Sequence, residues 1–150
     1  MAKGRNQKLK LLYLTKIFME KTDESHALTL AEITTLLNGY DVTADRKTLY
    51  LDFEELKHYG LDIISEQRGK TVVYYLASRD FELAELKLLV DSVQSSKFIT
   101  EKKSNSLIKK LESLVSEHES KQLHRQVITA GRVKTMNESI LINVDSIHSA

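Results

Sequence analysis

The sequence predicts a mainly α protein of the α+β class, and three observations carry that expectation. Apolar residues recur every three to four positions through most of the chain, the spacing of one buried helix face. Proline is absent and glycine occurs five times in 150 residues, so long helices meet few breakers. One stretch leaves the helical period: Asp62-Ile63-Ile64-Ser65-Glu66 and Thr71-Val72-Val73-Tyr74-Tyr75-Leu76 flank Gln67-Arg68-Gly69-Lys70, the pattern of a β-hairpin.

Taken in order, Leu9, Leu12, Tyr13 and Ile17, with Leu11, Leu14 and Phe18 beside them, form a dense stripe that predicts a helix over 9–19. Thr29 followed by Glu32 is a capping box, which opens a short helix with Leu30, Ile33, Leu36 and Leu37 on one face. Asn38-Gly39 stops it. Tyr40-Asp41-Val42 makes a tight connection, and Thr43 reads as the N-cap of a third helix that reaches Tyr59 and ends at Gly60. The inward face of that helix is Leu49, Phe53 and Leu56. Beyond the hairpin, Leu83, Leu86, Leu89, Val90 and Val93 predict one helix. Leu107, Ile108, Leu111, Leu114 and Val115 predict another, capped by Thr100. Val127-Ile128-Thr129 reads as a short strand, and Ile140, Val144 and Ile147 mark a last helix over 137–150. The chain divides near Ser78: residues 1–78 carry three helices and a hairpin, and residues 79–150 form a helical lobe.

Composition narrows the function classes. The chain has 22 Lys+Arg against 21 Asp+Glu, a formal net charge of +1, which excludes a uniform basic coat and leaves local patches to be sought. Cysteine is absent, and with it disulfides, thiolate metal sites and thiol nucleophiles. No run approaches the roughly 18 apolar residues of a membrane helix. The first eight residues lack the apolar core of a secretion signal, so a cytoplasmic protein with no membrane partner is expected. His26, His58, His118, His124 and His148 have no zinc spacing, and nucleophile-elbow, phosphate-loop and His-Glu-x-x-His motifs are missing. No enzyme activity, metal or cofactor is expected.

Three helices and then a hairpin, with a short turn before the third helix, is the order of a winged helix-turn-helix head. In such modules the later helix of the pair enters the DNA major groove and offers its first residues to base edges. That stretch here holds Thr43, Asp45, Arg46, Lys47, Thr48 and Tyr50. Arg46 and Lys47 suit guanine O6/N7 or phosphate oxygens, and Thr48 and Tyr50 suit phosphate. Asp45 has the chemistry to accept from cytosine N4 or to orient Arg46. A solvated helix face carries a similar charge mix, so the case rests on three basic elements in one lobe. The second is the hairpin tip, where Arg68 and Lys70 suit a wing along phosphates or a minor groove. The third is a basic arm, Lys3 and Arg5 with Lys8 and Lys10, read as mobile. Residues 1–80 nevertheless balance twelve Lys+Arg against twelve Asp+Glu. Asp52, Glu54 and Glu55 put acid on the far half of the third helix, so the lobe is expected to be a dipole whose DNA affinity leans on dimerisation.

Asn6-Gln7-Lys8-Leu9-Lys10-Leu11-Leu12-Tyr13-Leu14 and Val42-Thr43-Ala44-Asp45-Arg46-Lys47-Thr48-Leu49-Tyr50, with Asp52 and Leu56, resemble the N-terminal half of WYL-domain transcriptional regulators. The stretches from Arg79 to Asp91 and from Val133 to Ile140 resemble that family's middle region, so the likeness covers nearly the whole chain. It implies a bacterial, homodimeric regulator that binds double-stranded DNA, with a reading helix over Thr43 to Leu51. Leu51 departs from the Arg of many relatives, which bears on one phosphate contact and on target choice. Relatives continue into a β-rich, ligand-sensing WYL domain, and this sequence ends at Ala150 before it. The first expectation is therefore a sequence-specific transcriptional regulator working as a homodimer through its helical lobe. An alternative is a sensor-less short form that captures full-length relatives as a heterodimer. A weaker one is a winged helix used for protein contacts.

Overall fold

The computed structural model describes residues 4–127. Lys3, the helix expected over 137–150, and Ile128 and Thr129 of the expected short strand lie outside them. The protein is mainly helical with one small antiparallel sheet. A 3-10 turn at Gln7–Leu9 leads into α1 (Lys10–Lys21), then β1 (Leu28–Thr29), α2 (Leu30–Gly39) and α3 (Arg46–Tyr59). The hairpin is β2 (Ile63–Arg68) and β3 (Thr71–Leu76), followed by α4 (Leu83–Ser95) and α5 (Glu101–Glu112). A further helix, α6, covers 117–127 of the described residues, so Val127 is helical where a strand was expected.

Local chemistry explains most of these boundaries. At α2 the predicted capping box is present: Glu32 N–H donates to Thr29 Oγ1 at 3.2 Å, and Thr29 N–H donates back to Glu32 Oε1 at 3.1 Å. At α3 the cap is Asp45, not Thr43; its Oδ1 accepts from Thr48 N–H at 2.9 Å. A carboxylate satisfies the first orphan donors and also suits the positive end of the helix, whereas Thr43 is held elsewhere. Gly60, at φ +128°, ends α3 in a conformation that side chains resist. Thr100 caps α5 as predicted, accepting from Lys103 N–H at 3.2 Å. Leu114 and Val115 fall outside α5, because the chain turns there and Ser116 starts α6 by accepting from Glu119 N–H at 3.1 Å.

The sheet has the order β1-β3-β2. Strand β1 was not anticipated; Leu28 and Thr29 pair with Tyr74 and Val73. The hairpin register runs from Ile63 opposite Leu76 to Arg68 opposite Thr71, which shortens the turn to Gly69-Lys70. Gly69 takes φ +64° there, the freedom a two-residue hairpin turn requires at its first central position.

Buried side chains form two clusters. One gathers Leu14, Ile17 and Phe18 of α1, Ile33 and Leu37 of α2, Leu49, Phe53 and Leu56 of α3, and Ile63, Tyr74 and Leu76 of the sheet. Phe18 meets Phe53 edge-on at 5.4 Å between ring centres, and Phe53 meets Tyr74 at 5.0 Å. Of the apolar stripe read on α1, Leu12 stays 68% exposed. The second cluster is Leu86, Val90, Ile108, Val115 and Leu123, from the helices after the hairpin.

The two clusters meet across a polar junction. Lys21 Nζ lies 2.8 Å from Glu117 Oε2, Ser116 donates to the buried Asp23, and His26 stacks on His118 with ring centres 3.7 Å apart. Arg79 of the connecting segment donates to the carbonyls of Thr22 and Phe18. Thr22 itself accepts from Leu76 N–H at 3.0 Å, so α1, β3 and the connection share one hydrogen-bonded corner.

Candidate nucleic-acid interface

The start of α3 projects a basic edge into solvent. Leu49 and Phe53 are buried, and Arg46, Lys47 and Tyr50 are exposed on the turns around them. The Arg46 Nε donates to Tyr50 Oη at 2.7 Å, and the guanidinium lies 5.8 Å from the centre of that ring. This bond raises the Arg46 pKa further, so the side chain stays a cation. Tyr74 on β3 lies near Tyr50, and its hydroxyl pKa is pushed up first by burial and then by Tyr50. The Arg46–Tyr50 bond thus ties the exposed cation to the next turn of its own helix. Holding the stem this way reduces the rotamer entropy lost when the guanidinium engages an anion, and leaves its Nη groups as donors.

Asp45 and Thr43 take on structural work at the start of α3. Asp45 is occupied as the cap; its bonds to Thr48 hold the carboxyl below its usual range. It is therefore a charged cap beside Arg46. Thr43 is half-buried: its N–H and Oγ1 both donate to Gln7 Oε1, at 3.0 and 3.1 Å, and its Oγ1 accepts from Gly4 N–H at 3.3 Å. That side chain anchors the N-terminal segment instead of facing outward.

The same contacts correct the picture of a mobile arm. From Gly4 onward the segment is stapled to the α2–α3 connection. Asn6 donates through its side chain to Tyr40 O at 2.8 Å and through its N–H to Asp41 O at 3.1 Å, and Gln7 Nε2 donates to Thr43 O at 2.7 Å. A Cβ on Gly4 would sit 2.2 Å from Asp41 O, so only glycine fits that close approach. Arg5 is fixed through its own N–H to Asp41 Oδ2 at 3.1 Å, with its residue exposed. Lys10 leaves the basic set: it is buried against Asp52, with Nζ and Oδ2 2.7 Å apart.

The hairpin divides its two cations. Arg68 is the last residue of β2, not part of the turn, and its guanidinium bonds Glu66 Oε2 at 3.0 and 3.2 Å while lying over Tyr75. Its charge is answered within the sheet by Glu66. Lys70 stands exposed in the turn and makes no ion pair among the described residues. Arg46, Lys47, Lys70, Arg5 and Lys8 are therefore the outward cations among the residues singled out, with Tyr50 as a polar neighbour. Sequence reasoning missed Gln7 and Asn6, which hold this face together through contacts 34 to 36 positions away in the chain and leave no local pattern.

No protein-family model, curated protein or solved structure matches the chain. Among the described residues no three His, Asp or Glu side chains gather in a way that could hold a metal ion. No helix among them is long and apolar enough to cross a membrane.

Proposed function

We propose that this chain is a sequence-specific regulator of transcription that binds double-stranded DNA through a winged helix-turn-helix, as the likeness to WYL-domain regulators leads one to expect. α3 is its reading helix and the β2–β3 turn its wing. The observation that carries the reading is the Arg46–Tyr50 pair, which holds a cation at the exposed start of a helix that is otherwise packed into the core. A guanidinium in that position has the geometry to engage guanine edges or phosphates, with Lys47 beside it and Lys70 reaching the flanking backbone. The proposed unit is a homodimer. In its support, Leu88 on α4 and Phe98 before α5 are 68% and 99% exposed, large apolar groups for which a second helical lobe is a natural cover. Two reading helices would then meet half-sites about 34–36 Å apart, or a multiple of that spacing.

The test is selection of bound duplexes from a random DNA pool, followed by affinity measurements across salt. An enriched pseudo-palindrome whose binding falls steeply with salt is the expected result. Arg46→Ala is expected to weaken the selected site by roughly tenfold to a hundredfold and to relax its sequence preference. Tyr50→Phe, which frees Arg46 without removing it, is expected to weaken binding by roughly three- to tenfold. A pool that shows no enrichment while the protein is folded overturns the reading.

A further inference from the structure

At the junction of the two lobes lies a half-open cavity of about 710 Å³, within the size range of small-molecule sites. One wall is apolar: Leu76 at the end of β3, with Phe81 and Leu83 at the start of α4. Phe81 is 38% exposed, a large ring left facing open space. The other walls carry charge, and most of it is of one sign. Asp23, Glu24, Glu82 and Glu119 line the space together with Arg79 and His26.

What matters is which of these groups are already used. Asp23 is satisfied, since its carboxylate accepts from Ser116, from the Ser25 N–H and from His26. The Arg79 guanidinium is directed at the carbonyls of Thr22 and Phe18. Glu119 is the opposite case. Its backbone N–H is engaged with Ser116, but among the described residues no side chain donates to its carboxylate. Burial pushes its pKa up, repulsion from Asp23 pushes the same way, and Arg79 only partly offsets them. The cavity therefore combines room, an apolar wall, and an acceptor-rich rim in which four carboxylates outnumber the one guanidinium among the described residues.

We propose that this cavity binds a small organic cation: a primary amine carried on an apolar or aromatic body. The ammonium would take the place facing Glu119 and Glu24, and the body would lie against Phe81 and Leu83. A ligand there touches α6 on one side and the β3–α4 connection on the other, so it would stiffen the junction between the lobes. Binding itself does not require that the protein binds DNA; its use as a regulatory input rests on the function proposed above.

The experiment is calorimetry on the full chain with three probes: tryptamine, indole-3-acetate and 3-ethylindole, which share one ring and differ in charge. One-to-one binding of tryptamine, with the acid and the neutral compound at least roughly tenfold weaker, is the expected result. Glu119→Gln is expected to weaken tryptamine by roughly tenfold, and Phe81→Ala to weaken it while leaving the preference for amine over acid. Melting curves show that each variant is folded. Glu119→Lys, which brings its own ammonium into the space, is expected to abolish tryptamine binding. Equal binding of amine and acid, no binding of tryptamine at millimolar concentration, or an unchanged affinity in Glu119→Gln each overturns the proposal. Measuring the selected DNA duplex on the same samples separates the two readings. DNA binding without amine binding removes the cavity proposal alone, and amine binding without DNA binding removes the DNA reading alone.

Discussion

The N-terminal lobe and the helical lobe solve the same problem with different resources. The first closes three helices and a sheet around twelve buried side chains, with Phe18, Phe53 and Tyr74 in successive ring contacts. Among the described residues the second has five buried apolar residues to hold α4, α5 and α6, and leaves Leu88 and Phe98 in solvent. The first is a platform rigid enough to hold a surface in place, because its core is contiguous and braced from every element. The second gains from any additional cover, whether a second copy or a ligand at the junction. The difference teaches where each proposed role belongs: recognition on the braced lobe, association and regulation on the thinner one.

That contrast can be broken experimentally, and the largest effect is expected in the braced core. Phe18→Ala removes a fully buried ring at its centre and is expected to lower stability by about 3–5 kcal/mol, read as a shift of the denaturant midpoint with unchanged slope. Leu86→Ala in the thinner core is expected to lower stability by about 2–5 kcal/mol, but locally. Hydrogen exchange should speed up in α4, α5 and α6 while amides of α1 and α3 keep their protection. Equal loss of protection in both lobes would show one cooperative unit and defeat the comparison.

Smaller effects sharpen it at the junction. Ser116→Ala removes a hydrogen bond to a buried carboxylate and the cap of α6 together, and is expected to lower stability by about 1–3 kcal/mol. Burial by itself would raise the Asp23 carboxyl, but bonds from Ser116, His26 and Ser25 hold it below its ordinary value, so its contribution is present above pH 3.8 and lost as pH falls through the lowered value. The parent protein should therefore be more acid-sensitive than Ser116→Ala. Glu119 has the opposite sign. Its raised pKa means a contribution fully present below pH 4.5 and lost as pH rises through the raised value. Glu119→Gln is expected to melt slightly above the parent near neutral pH and to lose that advantage in acid, which melting curves over a pH series will read.

Much of the fold was legible because its signals are local. The Thr29–Glu32 box, the Thr100 cap, the stop at Gly60 and the inward set Leu49, Phe53 and Leu56 each depend on residues within one or two turns of each other. The candidate site was legible in its residue types and not in its arrangement. Arg46, Lys47, Tyr50 and Lys70 do face outward, whereas Thr43, Asp45 and Arg68 have internal work and Lys10 is buried. Nothing near Thr43 in the chain announces Gln7, and nothing near Lys10 announces Asp52.

By itself, then, the amino-acid order determined the helices, their caps, the hairpin and the basic composition of the α3 start, since propensity, capping and apolar period act between near neighbours. Tertiary structure decided the rest. It enlisted Leu28 and Thr29 as a third strand, chose Asp45 over Thr43 as a cap by committing Thr43 to Gln7, and buried Lys10 against Asp52. It also opened the cavity beside Glu119. These features join groups far apart in the chain, and such pairings become favourable only once packing has already brought the elements together.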